Sequence, residues 1–147
     1  MFKRILIPTD GSALSRKAIK AGVRLAKDLR AKVTAYYAME MFQPYVYGDG
    51  TVIDSATLNA FEQRARQQGQ KFLDEVEKAA KAAGVGCEKV MTKPVTPYQG
   101  IIDAARKKKC DVIFMASHGR GEFASLILGS VTQKVLAKSK VPVIVYR

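Results

Sequence analysis

The stretch Arg4-Ile5-Leu6-Ile7-Pro8-Thr9-Asp10-Gly11-Ser12 joins two kinds of periodicity. Arg4 to Ile7 is a short, mostly apolar run that Pro8 to Ser12 cut off, and after Ser12 the apolar positions recur at helical spacing. Leu14, Ala18, Ala21, Gly22, Leu25 and Leu29 fall on one stripe, with Arg16, Lys20, Arg24 and Lys27 opposite. A helix so patterned packs one face and solvates the other, and Ser12 is its natural N-cap. Lys32 to Met39 then supplies the β-branched and aromatic residues that suit a half-buried pleated surface. Strand, helix and strand make a βαβ unit.

Working outward, Glu40 to Asp54 reads as a loop holding Pro44, Gly48, Asp49 and Gly50, whose aromatics Phe42, Tyr45 and Tyr47 suggest a segment that folds back. A long helix is expected from Ser55 to about Ala83, with Leu58, Phe61, Ala65, Phe72, Val76, Ala79 and Ala83 on one stripe and Gly84 as its stop. Gly69 within it should cost about 1 kcal/mol relative to alanine. Cys87 to Thr92 is polar enough for an edge strand, and Thr96-Pro97 opens a helix with a cap and a proline at the first position. Ile101, Ile102, Ala104 and Ala105 point inward from that helix, which ends in Arg106 to Lys109. Asp111 to Ala116 has the continuous apolar character of a central parallel strand. Ser130 to Lys138 forms the last helix and Val141 to Tyr146 the last strand. Strands alternating with helices, without consecutive hairpins, predict a doubly wound parallel α/β sheet with helices on both faces.

A length of 147 residues, 48% apolar and 26% charged, suits one domain over 1–147. The balance of 25 Lys and Arg against 13 Asp and Glu leaves +12, which admits anionic partners from nucleic acid to phosphorylated small molecules. No apolar run approaches the ~18 residues of a membrane span, and the opening run is too short for a signal-peptide core, so a cytoplasmic home is expected. Cys87 and Cys110 lack a C-x-x-C spacing and His118 is the single histidine; a closed zinc site is excluded and buried free thiols are expected. The basic residues gather at helix C-termini, where they complement the helix dipole. Those ends lie opposite the ligand edge, whereas Asp10, Glu40, Asp49, Asp54 and Glu122 fall on the ligand side. With no helix-turn-helix, zinc finger or aromatic stacking platform, specific nucleic-acid recognition is not expected, although the charge permits non-specific adhesion to polyanions.

In a doubly wound sheet, ligands bind outside the carboxyl ends of the strands where neighbouring crossovers diverge. Two loops there carry chemistry. In the first, Asp10 leaves a central strand beside the amides of a helix N-terminus, which suits a ribose hydroxyl, a metal-bound water or plain capping with Ser12. In the second, Gly119 and Gly121 let backbone approach a ligand, Arg120 adds charge, and Gly129-Ser130 opens the last helix with amides and a hydroxyl at its positive end. The lysine-bearing phosphate loop G-x-x-x-x-G-K-[ST] is absent. Gly119-x-Gly121-x-x-Ala124 satisfies the dinucleotide fingerprint but follows the fourth strand, with no acidic residue ~20 positions on. A hydrolytic triad would have to use His118, yet no serine sits in a G-x-S-x-G elbow. A fast catalyst is therefore not expected.

These residues resemble the universal stress proteins over the whole chain. That family's glycine signature reads G-x-x-G, nine residues, then G-[ST]; here Gly119, Arg120 to Leu128 and Gly129-Ser130 match its second half with the spacing intact. Pro8 to Ser12, the run Leu128 to Thr132 and the terminal Val-Pro-Val-Ile-Val are also similar to the family. The resemblance implies strand order 3-2-1-4-5, a homodimer and, in one branch, a site for ATP or a related nucleotide such as AMP, ADP or cyclic AMP, with Mg²⁺ or Mn²⁺ as a companion ion. Carried over by position, Pro8, Thr9 and Asp10 border the nucleotide, Asp10 facing the ribose or the metal, and Val33 meets the adenine. Met115, Ala116, His118, Gly119, Arg120, Gly129, Ser130 and Val131 complete the ribose and phosphate side. Ala116 stands where the signature has its first glycine; a methyl pointing at the ligand would weaken binding, and one pointing at the sheet would change little. With that order, Val141 to Tyr146 lies at the sheet border without a charge. An apolar edge is a pairing template, so a homodimer through this strand is expected, antiparallel about a two-fold axis.

Overall fold

A computed structural model describes residues 1–41, 53–120 and 127–147. Most of the loop expected between Glu40 and Asp54, with its aromatics and Asp49, lies outside the described residues, as do Gly121, Glu122 and Ala124. The element order is β1 (Arg4–Pro8), α1 (Ala13–Asp28), β2 (Lys32–Ala38), α2 (Ser55–Ala82), β3 (Cys87–Thr92), α3 (Pro97–Lys107), β4 (Val112–Ala116), α4 (Ser130–Lys138) and β5 (Val143–Tyr146). The strands form one parallel sheet in the order β3-β2-β1-β4-β5, so the fold expectation holds. Ile5, Ile7, Val33, Ala35, Val112 and Phe114 face one core cluster with α1 and α2, while Leu6, Tyr36, Ile113 and Met115 face a second with α3 and α4. Alternation along each strand thus feeds both layers.

Local chemistry explains the boundaries. Ser12 Oγ accepts from Ser15 N at 3.2 Å and caps α1, and an Asp54 oxygen does the same for α2 from Thr57 N at 2.7 Å. Thr96 occupies the N-cap position of α3 with Pro97 in the first turn, but makes no side-chain cap bond. The buried stripe of α1 is rotated from the expected one: Ser15, Ala18, Ile19, Gly22, Val23 and Ala26 are buried, and Leu14, Ala21, Leu25 and Leu29 flank them. In α2 the burial starts only at Gly69, and Phe61 stays 40% exposed. β4 starts one residue later than expected because Asp111 uses its carboxylate to accept from Lys3 N at 2.7 Å and Arg4 N at 3.1 Å. β5 starts at Val143 because Ser139 Oγ and the Val141 backbone exchange bonds of 2.7 and 3.0 Å in a preceding turn.

Three helices run into the next strand through the same cap. Ala31 N, Val85 N and Cys110 N each reach back five residues, to the carbonyls of Ala26, Ala80 and Ala105, at 2.8 to 2.9 Å. The residue before each is left-handed: Arg30 at φ 54°, Gly84 at 72° and Lys109 at 52°. Glycine adopts this conformation freely; a side chain there costs about 1–2 kcal/mol, partly offset by a cation at a helix C-terminus.

Candidate functional site

Between β1 and β4 the crossovers diverge to opposite faces, and a crevice of about 290 Å³ opens at the carboxyl ends of β1, β2 and β4. Its first wall is the turn after β1. Thr9, 6% exposed, has its Oγ1 accepting from Ser15 Oγ at 3.0 Å and from Gly11 N at 3.3 Å. Gly11 takes φ 77° with the Phe72 ring where a Cβ would project, so only glycine fits this turn. Asp10 is thereby aimed across the crevice: Oδ1 accepts from Ser12 N and Oδ2 from Arg120 N, each at 2.9 Å. Gly119 lies so close that a Cβ on it would collide with Asp10 Oδ2.

The second wall is the turn after β4. Buried Ser117 donates its N–H to Tyr146 O at 2.7 Å and accepts at its carbonyl from Gly129 N at 2.8 Å, tying the turn to β5 and to the start of α4. Thr132 Oγ1 donates to Ala116 O at 3.0 Å and fixes the first turn of α4 against the end of β4. Ser130, Val131 and Thr132 consequently line the crevice. His118 also lines it, with Nδ1 3.1 Å from Ser117 Oγ. Arg120 sends its guanidinium over the Phe72 ring, 5.2 Å from the centroid.

The floor and third wall add Tyr36, Tyr37, Ala38, Pro97 and Ile101, none of them an expected site residue, to Met115 and Glu40. Tyr36, wholly buried, donates or accepts a 2.6 Å bond with Thr92 Oγ1, and burial pushes its phenol pKa up against the opposing pull of that bond. Tyr37, Ala38 and Glu40 continue the wall, and Pro97 and Ile101 of α3 close it. Burial and the nearby Glu40 charge also raise the Tyr37 phenol, while Arg120 lowers it.

The structure brings Pro8, Thr9, Asp10, Met115, Ala116, His118, Gly119, Arg120, Ser130 and Val131 together around one crevice. Two expected positions differ. Val33 is 1% exposed and pairs with Ile5, three residues before the Pro8–Tyr36 pair that reaches the crevice. At about 3.3 Å per residue it lies some 10 Å back, inside the first core cluster; the end of β2 occupies the place assigned to it. Gly129 precedes the lining residues, and its N–H is spent on Ser117 O. Ala116 lines the crevice, yet it also packs against the first core cluster. Met115 is buried in the second cluster and forms part of the floor. Among the described residues no group of three His, Cys, Asp or Glu side chains could hold a metal ion. Cys87 and Cys110 are free thiols whose pKa burial raises, and no described helix is long and apolar enough to cross a membrane.

The family model for the universal stress protein family matches residues 1–147. Universal stress protein MJ0531 of Methanocaldococcus jannaschii is 32% identical over 147 residues, covering 100% of this chain and 83% of that protein. Among solved structures, a universal stress protein in complex with cAMP superposes with a TM-score of 0.73 at 23% identity, covering 99% of this chain and 97% of that one. The universal stress protein of Archaeoglobus fulgidus in complex with dAMP gives 0.70 at 16% identity, covering 99% and 98%. Whole-chain agreement in sequence joins the 3-2-1-4-5 sheet and the turns after β1 and β4: the chain belongs to the universal stress protein family.

Proposed function

We propose that the crevice binds an adenine nucleotide and that the protein acts in stress response or signalling by changing shape or partners with that ligand. The observation that carries this reading is one continuous crevice joining an apolar wall, Ala38, Pro97 and Ile101 beside Tyr36, to the N-terminus of α4. The wall suits a purine, and the first turn of α4 presents amides at a positive helix end, which suits phosphate. Asp10 lies between them, within reach of a ribose hydroxyl. The family relatives solved with cAMP and dAMP support the same ligand class. Ala116 packs against the first core cluster while lining the crevice, which is consistent with a ligand being accommodated despite the missing signature glycine.

Asp10 makes a poor metal site by itself, since it is a single carboxylate and among the described residues no group of three His, Cys, Asp or Glu side chains surrounds it. A Mg²⁺ or Mn²⁺ ion here would be held chiefly by ligand phosphates and water, and binding of a monophosphate should not need one. The role we infer is that of a receptor, with ATP hydrolysis slow at most.

Calorimetric titration with ATP, ADP, AMP and cyclic AMP, with and without EDTA, tests the proposal. Saturable heat with at least one of them supports it; no heat and no thermal shift at millimolar levels leaves the second reading, a nucleotide-free interaction protein. That reading rests on β5. Val143 to Tyr146 is apolar and half-buried, and among the described residues it pairs on one side only, with β4. We further propose that β5 pairs with β5 of a second copy. Light scattering at micromolar concentration should give a dimer that Val143→Lys or Val145→Lys dissociates, whereas a stable 16.1 kDa monomer removes this proposal.

A further inference from the structure

The edge of the sheet opposite the crevice carries a feature the nucleotide reading does not use. Lys3 and Arg4 stand at the start of β1, Arg30 and Lys32 at the start of β2, Lys109 before β4 and Lys140 before β5, and all six are exposed. Because the strands are parallel, their starts share one edge, and Arg4 and Lys32 are direct cross-strand partners. Of the nearby carboxylates, Asp111 is engaged with the Lys3 and Arg4 amides and Glu88 with Lys108, while Asp28 stands exposed at the end of α1. Helix dipoles give no reason for Lys3, Arg4 or Lys32, which are not in helices.

Two further observations point the same way. Arg30 and Lys109 hold left-handed conformations at the cap position where Gly84 serves the third equivalent junction. A cation is thus present at two places where backbone preference favours glycine. At the same end of the sheet, a depression lined by Arg4, Lys32, Val33, Thr34, Gly86, Cys87 and Glu88 opens at the starts of β1, β2 and β3.

We propose that this edge is a docking ridge for the phosphate backbone of a nucleic acid, read without sequence preference. The geometry favours a linear polyanion. The six cations stand on four neighbouring strands, β2, β1, β4 and β5, about 14 Å end to end at about 4.8 Å spacing, and can neutralise up to six phosphates drawn from both strands of a duplex, which carries one charge per about 1.7 Å of axis. No described base-reading element accompanies it, so affinity comes from charge and counterion release. Five neutralised phosphates correspond to a slope of log K against log salt of about −4.5.

Fluorescence anisotropy of a labelled 20-base-pair duplex of arbitrary sequence, titrated between 50 and 200 mM salt, tests this. The expected result is sequence-indifferent binding with a slope near −4.5. The Arg30→Gly, Lys109→Gly double variant should reduce that slope by about 2 while melting no lower than the parent, because glycine relaxes both caps. If that variant proves unstable, Lys32→Gln with Lys140→Gln makes the same measurement without touching a left-handed residue. The Lys20→Gln, Arg24→Gln pair on the exposed face of α1 removes equal charge and should leave the slope nearly unchanged. No binding at 50 mM salt, or equal losses from ridge and α1 variants, overturns the proposal. Tighter binding to phosphatidylserine vesicles than to duplex at the same salt assigns the ridge to membranes and overturns it as well.

Discussion

Replacing Gly119 with alanine tests the site through one atom. The added Cβ would fall closer to Asp10 Oδ2 than real Cβ contacts come, so either the carboxylate or the turn must move. Asp10 is held on its other oxygen by Ser12 N at 2.9 Å. The bond most exposed to loss is therefore the 2.9 Å one from Arg120 N to Oδ2. A hydrogen bond to a charged acceptor contributes about 1.5–3 kcal/mol. If the binding-competent turn becomes a minor state by that margin, nucleotide affinity falls about ten- to 150-fold. The same loss lowers the melting temperature by roughly 3–12 °C at about 2–4 °C per kcal/mol for a chain of this size. The core stays intact, because the buried side chains of both clusters lie below the turn. Calorimetry reads the affinity, and amide hydrogen exchange reads Arg120 N–H directly, protected in the parent and fast in the variant. Affinity within twofold of the parent, with Arg120 still protected, would refute the reasoning.

Gly69→Ala should destabilise by about 1 kcal/mol, because the Cβ meets the Tyr37 ring and Met91 and overpacking outweighs the ~1 kcal/mol gained in helix propensity; a higher melting temperature would contradict this. Gly11→Ala combines a left-handed residue with a clash on Phe72, and chemical denaturation should show a loss of roughly 2 to 4 kcal/mol. Hydrogen bonds from Thr57 hold the Asp54 carboxyl below its usual value of 3.8, and Lys89 with Gln70 does the same for Asp74. Groups with lowered folded pKa contribute stability above the unfolded value and lose it as pH falls through the folded one. Thermal melts should thus decline below about pH 4, and more weakly at high salt, where these exposed pairs are screened.

The fold was legible because its signals are local. The apolar run into Pro8, the change to helical spacing after Ser12 and the Ser130 start of α4 all lie within a few residues of the elements they define. What escaped depends on partners far along the chain. The resemblance carries Val33 over to the ligand by position along the chain, but strand register is not local: only the pairing of Pro8 with Tyr36 shows which end of β2 reaches the crevice. That end, Tyr36 to Ala38, was within reach of the rule that ligands lie at strand carboxyl ends. The stripe of α1 rotated because Ser15, which looks solvent-facing, is buried by its bond to Thr9. Gly69 reads as a helix defect until the Tyr37 ring is found against it. Asp10 could be placed at the site, but its tie to Arg120 spans 110 positions and no spacing announces it. Arg30 and Lys109 carry no glycine to mark their left-handed turns.

The central claim is that the crevice at the ends of β1, β2 and β4 holds an adenine nucleotide, and calorimetric titration of the purified chain tests it most directly. The account predicts saturable binding of at least one of ATP, ADP, AMP and cyclic AMP at one site per chain, persisting in EDTA for the monophosphates and weakened at least tenfold by Gly119→Ala. Absence of heat from all four at millimolar concentration, in protein shown by its mass to carry no bound nucleotide, would contradict it.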